Sequence, residues 1–193
     1  MANLPGGAFA KGRDRLVRFS ATSGTRLSCT VASDGEITLP ASGNVTYKFL
    51  KGATRAEFTP SPNSQEFYLL GDNGWRDSVG VTQAGELACS AFFINKLDSG
   101  NSNALTSDID EALQLVLNAE SEPDTELWVE LLTFLGQDGN DKFCYHTRAF
   151  QGSVTNVSEA APSDGLIEYS WTVQSRGEIW AGKLLEDDAL TVY

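Results

Sequence analysis

At 193 residues the chain is long enough for one well-buried core and short for two. Hydrophobic (41%) and charged (21%) shares are those of an ordinary globular domain, and no apolar run approaches the ~18 residues of a membrane-spanning helix. A formal net charge of −12 argues against tight nucleic-acid binding, which needs cationic patches to displace counterions.

The charge is unevenly spread. Residues 1–55 hold eight Lys and Arg against three acids, +5, while residues 56–193 carry −17. Such a split suits a basic head meeting the acidic body of a neighbouring copy. Cys29, Cys89 and Cys144 are odd in number, lack CxxC spacing and sit in apolar stretches, so buried free thiols are expected. The start, Met-Ala-Asn-Leu-Pro-Gly-Gly, lacks a basic-then-apolar signal pattern. The expectation is a protein that stays where it is made or leaves with an assembly.

Residues 1–15, rich in Gly and Ala, read as a flexible arm. The stretches 16–21 and 27–32 predict short strands joined as a hairpin around Ser23-Gly24. Residues 44–50 and 55–59 predict a weaker strand pair around Lys51-Gly52, and Thr-Pro-Ser-Pro-Asn-Ser over 59–64 reads as a loop. The weakly hydrophobic region 34–64 is a candidate protruding loop. Strands are predicted over 75–82 and 86–95, separated from the next element by a polar loop at 98–103.

A helix is predicted over 106–119. Ser107 offers a cap, Asp108, Asp110 and Glu111 suit the positive end of the helix dipole, and Leu105, Ile109, Leu113, Val116 and Leu117 form one apolar face. Residues 126–135 are apolar on both faces, as in a strand buried between two layers. Gln-Asp-Gly-Asn over 137–140 turns into a strand over 142–155. Residues 166–175 alternate: Ile167, Tyr169, Trp171 and Val173 face the core, and Glu168, Ser170, Thr172 and Gln174 face water. Glu186, Asp187 and Asp188 open an acidic tail over 186–193.

Catalytic groups are not evident. His146 is the single histidine; Cys144 and His146 share a strand face but diverge, with no third orienting group. The Asp138–Asp141 turn has calcium-loop composition without the length or the distal bidentate Glu. Gly-rich phosphate loops and basic-aromatic alternation are missing, so no enzyme activity, metal or cofactor is expected.

In order and texture the chain resembles the tail tube, or major tail, proteins of long-tailed bacteriophages. The resemblance covers roughly residues 15–185. It is carried by Trp-Arg-Asp-Ser-Val-Gly-Val-Thr (75–82), Gly-Glu-Leu-Ala-Cys-Ser (85–90), the helix, the following hairpin and Gly-Leu-Ile-Glu-Tyr-Ser-Trp-Thr-Val (165–173). It implies a mainly β chain with one α-helix, an antiparallel β-sandwich or barrel flanked by that helix in one domain, residues 16–185. It further implies a structural virion protein whose hexameric rings stack into a hollow tube for DNA, with other tail proteins at the tube ends, no membrane, and assembly in the host cytoplasm. In such tubes, sheets join edge to edge around an acidic lumen, and an N-terminal arm and a long loop reach the next ring. Those roles fall here on residues 1–15 and 34–64. Lys11, Arg13, Arg15, Arg18, Lys48, Lys51 and Arg55 are the expected inter-ring contacts, and Glu130, Glu168, Ser170 and Thr172 the expected lumen residues. Two alternatives differ in kind: another ring-forming phage protein, such as a tail terminator or head–tail connector, or a carbohydrate-binding β-sandwich with exposed coplanar aromatics.

Overall fold

The computed structural model describes residues 15–68, 76–92, 111–122 and 125–190, apart from 23, 25, 42, 43 and 164; over 61–68 and 76–83 it describes the backbone alone. Ten elements follow in chain order: β1 (Arg15–Ala21), β2 (Thr30–Val31), β3 (Ile37–Thr38), β4 (Lys48–Phe49), β5 (Ala53–Tyr68), β6 (Arg76–Phe92), α1 (Glu111–Ser121), β7 (Glu126–Gln137), β8 (Phe143–Ala160) and β9 (Glu168–Glu186). Seven strands form one antiparallel sheet in the order β4-β1-β7-β8-β9-β6-β5, and β2 and β3 pair as a small ribbon.

The sheet folds over on itself into a sandwich. Three strand spacings separate β1 from β9, roughly 14 Å in a flat sheet, yet the Phe19 and Trp171 rings lie 6.4 Å apart. Phe58 on β5 and Phe150 on β8, also three spacings apart, approach to 5.7 Å. The corner is where β8 meets β9. Phe150 pairs with Ile179 and Gly152 with Ser175, so a two-residue step on β8 faces a four-residue step on β9. A bulge of this kind bends and twists the strand that carries it. Gly177 sits in that bulge at φ +104°, and a Cβ on Gly152 would meet the Gln174 carbonyl oxygen at 2.4 Å. Side chains fit neither position easily.

β7 lies inside the sheet and is covered on both faces, as its two-sided apolar pattern predicts. Leu127, Val129 and Leu131 join the core under α1, with Val17, Phe19, Leu87, Cys89, Trp171 and Val173. Helix α1 contributes Ala112, Leu113, Val116 and Ala119, one stripe at helical spacing. Leu113, at 1% exposure, gains about 1.5–3 kcal/mol from its burial. On the opposite face Trp128, Leu132 and Phe134 pack under residues 27–50, against Leu27, Ile37, Leu39, Val45, Tyr47 and Phe49. That cover is held at Gly182, where a Cβ would lie 2.8 Å from the Gly35 carbonyl oxygen, the acceptor for the Lys183 amide.

Several expected boundaries are corrected. β1 pairs with β4 and β7 and not with β2, so the hairpin around Ser23-Gly24 does not form. Residues 44–50 and 55–59 do not pair with each other: Lys48–Phe49 joins β1, and the latter stretch opens β5. Residues 34–50 pack on the sheet, and 59–64 lie within β5, so 34–64 is not one protruding loop. The two strands expected over 75–95 are a single strand, β6, as far as the described residues extend. α1 begins at Glu111, and the expected first turn at 106–110 lies outside the described residues, as do residues 1–14 and Trp75.

β6 pairs with β5 over its whole length but with β9 only from Glu86 to Phe92. The rest of β5 and β6, over 61–68 and 76–85, therefore runs past the sheet as a two-stranded ribbon roughly 25 Å long at ~3.3 Å per residue. Among the described residues, two free edges border this half of the sheet: β5 pairs only with β6, and β8 beyond Ser153 pairs only with β9, because the β7 ladder ends at Glu126.

Candidate functional site

One face of the half-sheet β8-β9-β6-β5 is polar. Cross-strand partners share a face, so the registers bring together Arg55, Glu57 and Thr59 of β5; Glu86, Ala88 and Ser90 of β6; Glu168, Ser170, Thr172 and Gln174 of β9; and Thr155 and Ser158 of β8. None of these is buried. The expected alternation holds from Glu168 on: Trp171 and Val173 are in the core, and Glu168, Ser170 and Thr172 face away from it. Leu166 and Ile167 precede β9 and are exposed, so Ile167 is not a core residue. Glu168 accepts a hydrogen bond from the Thr54 hydroxyl at 2.8 Å, and the Ser90 and Ser170 hydroxyls meet at 2.9 Å. Three carboxylates (Glu57, Glu86, Glu168) and the single Arg55 guanidinium give the face a negative balance. Arg55 is tied to Glu57 of the same strand, which holds the Glu57 carboxyl below its usual range through that hydrogen bond and charge.

Glu130 and Arg18 are corrected. Glu130 is 0% exposed and Arg18 is 5% exposed, paired across β7 and β1 beneath residues 27–50. Arg18 Nε donates to Glu130 Oε2 at 2.5 Å and Trp128 Nε1 donates to Oε1 at 2.6 Å. The Arg18 guanidinium lies 3.9 Å from the Tyr47 ring centroid. A carboxylate so enclosed lines no channel, and a guanidinium so enclosed reaches no neighbouring subunit. Burial first, and then the Glu130 charge, push the Tyr47 phenol well above its ordinary range.

The remaining basic candidates divide. Lys48 is paired with Glu111 at the start of α1, and Lys51 is exposed at the turn before β5. Lys11 and Arg13 lie outside the described residues. Arg15 belongs to a row that sequence reading missed. Arg15 of β1 is opposite Thr133 of β7, Thr133 opposite His146 of β8, and His146 opposite Lys183 of β9. Arg148, two residues from His146 on the same strand face, lies with its guanidinium 5.1 Å from the Phe58 ring centroid. Arg15 Nη1 donates to the Ala56 carbonyl at 2.9 Å. Among the described residues Arg15, Arg148 and Lys183 form no ion pair. Burial, then the Arg148 and Arg15 charges, hold the His146 imidazole below its ordinary value.

A polar cleft of about 670 Å³ opens at the sheet corner between Thr22, Arg26, Glu126, Gln151 and Arg176. Gln151 bridges its two walls, accepting from the Leu27 amide at 3.0 Å and donating to Glu126 at 2.6 Å. Among the described residues no nucleophile–base pair lines it, and no cluster of His, Cys, Asp and Glu could hold a metal. The Asp138 turn is a hairpin connection: its carboxylate accepts from the Asn140 and Lys142 amides, each at 2.9 Å.

No protein-family model and no curated protein matches the chain. Among solved structures it is similar to the SPP1 tail tube determined by solid-state NMR and cryo-EM, at 12% identity over 93% of this chain and 82% of that one, with a TM-score of 0.50. It also aligns with the tail of an empty gene transfer agent particle (14% identity, 90% of this chain and 98% of that one, TM-score 0.48). A chain of the anti-feeding prophage baseplate aligns at 10% identity, 95% and 99% coverage and a TM-score of 0.47. The chain has a phage tail-tube-like fold, mainly antiparallel β with one packed helix, as the resemblance implies.

Proposed function

We propose that the chain is a tail tube subunit. Hexameric rings of it stack into a hollow tube that conducts viral DNA, other tail proteins meet the tube at its ends, and the whole is a virion tail assembled in the host cytoplasm. The observation that carries this reading is the half-sheet β8-β9-β6-β5 with a free edge on each side. Long exposed edges invite pairing with another chain. The half-sheet has four alternating strands, so its two edge strands run in opposite directions. Setting β8 of one copy beside β5 of the next therefore continues the antiparallel pattern, and a head-to-tail contact of that kind closes a ring when its rotation closes.

The polar face then turns inward. The Glu57, Glu86 and Glu168 carboxylates repel phosphates and release no counterions, so DNA slides past without sticking. The ribbon over 61–68 and 76–85 and the arm over 1–15, with Lys11 and Arg13, are the segments that reach the next ring, and Lys51 joins them. Negative-stain electron microscopy of the purified protein tests the reading. Tubes are expected. Discrete single rings that never lengthen would assign a terminator or connector role instead, and monomers at all concentrations would overturn self-assembly.

A further inference from the structure

We propose that the sheet face bearing Arg15, His146, Arg148 and Lys183 is a docking surface for carboxylate side chains of a second copy of this chain. The inference rests on the self-assembly reading. The register places Arg15, Thr133, His146 and Lys183 in one row across four adjacent strands, about 14 Å at ~4.8 Å per strand, with Arg148 beside it. At that row β7 is paired with β1 and β8, β8 is paired with β7 and β9, and the Lys183 amide of β9 bonds the Gly35 carbonyl on its other side, so the backbone is hydrogen-bonded into place before any partner arrives. Two of its heads are already aimed, Arg15 by the Ala56 carbonyl and Arg148 by the Phe58 ring. A preorganised surface loses little side-chain entropy on binding.

Charge selects the occupant. The chain carries −12, so two copies approaching at random repel, and attraction needs a cationic patch meeting an acidic one. Among the described residues, five other cations are paired within the subunit: Arg18 with Glu130, Lys48 with Glu111, Arg55 with Glu57, Lys142 with Asp187 and Arg176 with Glu126. Among the described residues the row has no such internal acid. Acidic side chains are abundant over 56–193, where the balance is −17. They include the exposed Glu120, Glu122 and Asp188.

A zero-length carbodiimide coupling tests this without any substitution. Isotopically heavy and light protein are mixed, assembled and treated, and peptides joined through Lys183 are sequenced by mass spectrometry. The expected product joins Lys183 of one isotope to an Asp or Glu of the other. Lys142, 3.4 Å from Asp187, supplies a same-copy control product. Lys183 joined only to carboxylates of its own copy, or to none, overturns the proposal. In parallel, Arg148→Glu and Lys183→Glu are expected to raise the protein concentration needed for assembly at least tenfold while circular dichroism stays unchanged. Folded variants that assemble at the wild-type concentration overturn the proposal too. Wild-type protein that never assembles overturns the self-assembly reading itself, and the second copy as occupant with it.

Discussion

Replacing Glu130 with Ala is the sharpest perturbation of the folded subunit. It removes both hydrogen bonds at 2.5 and 2.6 Å and leaves the Arg18 guanidinium, 5% exposed, as an uncompensated charge. Breaking one side of a buried pair costs about 3–5 kcal/mol. At ~2–4 °C per kcal/mol for a chain of this size, the melting temperature falls by about 6–20 °C. The double replacement Arg18→Met with Glu130→Met removes the charge but leaves the Trp128 indole N–H unpartnered, a residual cost of about 1–3 kcal/mol. It is expected to recover most of the loss. The assay is urea unfolding followed by tryptophan fluorescence, at protein concentrations below assembly, because association adds its own stabilisation. A Glu130→Ala cost under ~1 kcal/mol, the scale of an exposed pair, would refute the buried pairing and return Glu130 to the solvent-facing candidates.

Other outcomes follow from particular contacts. Gly182→Ala forces a Cβ to 2.8 Å from the Gly35 oxygen, an overpacking of about 1–3 kcal/mol, and faster hydrogen exchange at the Lys183 amide is the specific sign; unchanged protection there would contradict the docking described. Burial pushes the Cys29 and Cys89 thiols up to about 12, whereas Cys144 is less buried and only raised. A disulfide reagent at pH 8 should thus modify Cys144 first and the other two only on unfolding, and three equal rates would count against the packing. His146, depressed by burial and by Arg148 and Arg15, binds fewer protons folded than unfolded. Its contribution to stability is full above the unfolded value of ~6.5 and is lost as pH falls from there through the lower folded value. NMR titration of the single imidazole should give a value below 6.5 in the monomer, and His146→Gln should flatten the acid limb of stability; a value at or above 6.5 would remove the cationic surroundings.

What was legible in the sequence is what local pattern controls. The two-sided apolar run of β7, the stripe on α1 and the alternation of 166–175 each depend on residues within a few positions of one another. Pro60 and Pro62 misled the reading of 59–64 because proline ends most strands, yet it is tolerated on an edge strand, and β5 is one. Glu130 read as a wet position because its partner, Arg18, is 112 residues away, a separation no periodicity spans. The Arg15–His146–Lys183 row was invisible for the same reason: it exists only once four strands take their register.

The alternation of the half-sheet has a consequence for symmetry. A subunit offering an odd number of strands would meet its neighbour with like-directed edges, and the seam would differ in kind from the ladders inside. With an even number, the seam repeats the interior pattern whatever the number of copies. Backbone pairing is therefore indifferent to ring size. In the proposed ring the number of subunits would be dictated by curvature, through the bulk of the side chains at the seam and the bend that Gly152 and Gly177 permit. Substitutions at those places are the ones expected to change the bore of a ring and leave its bonding intact.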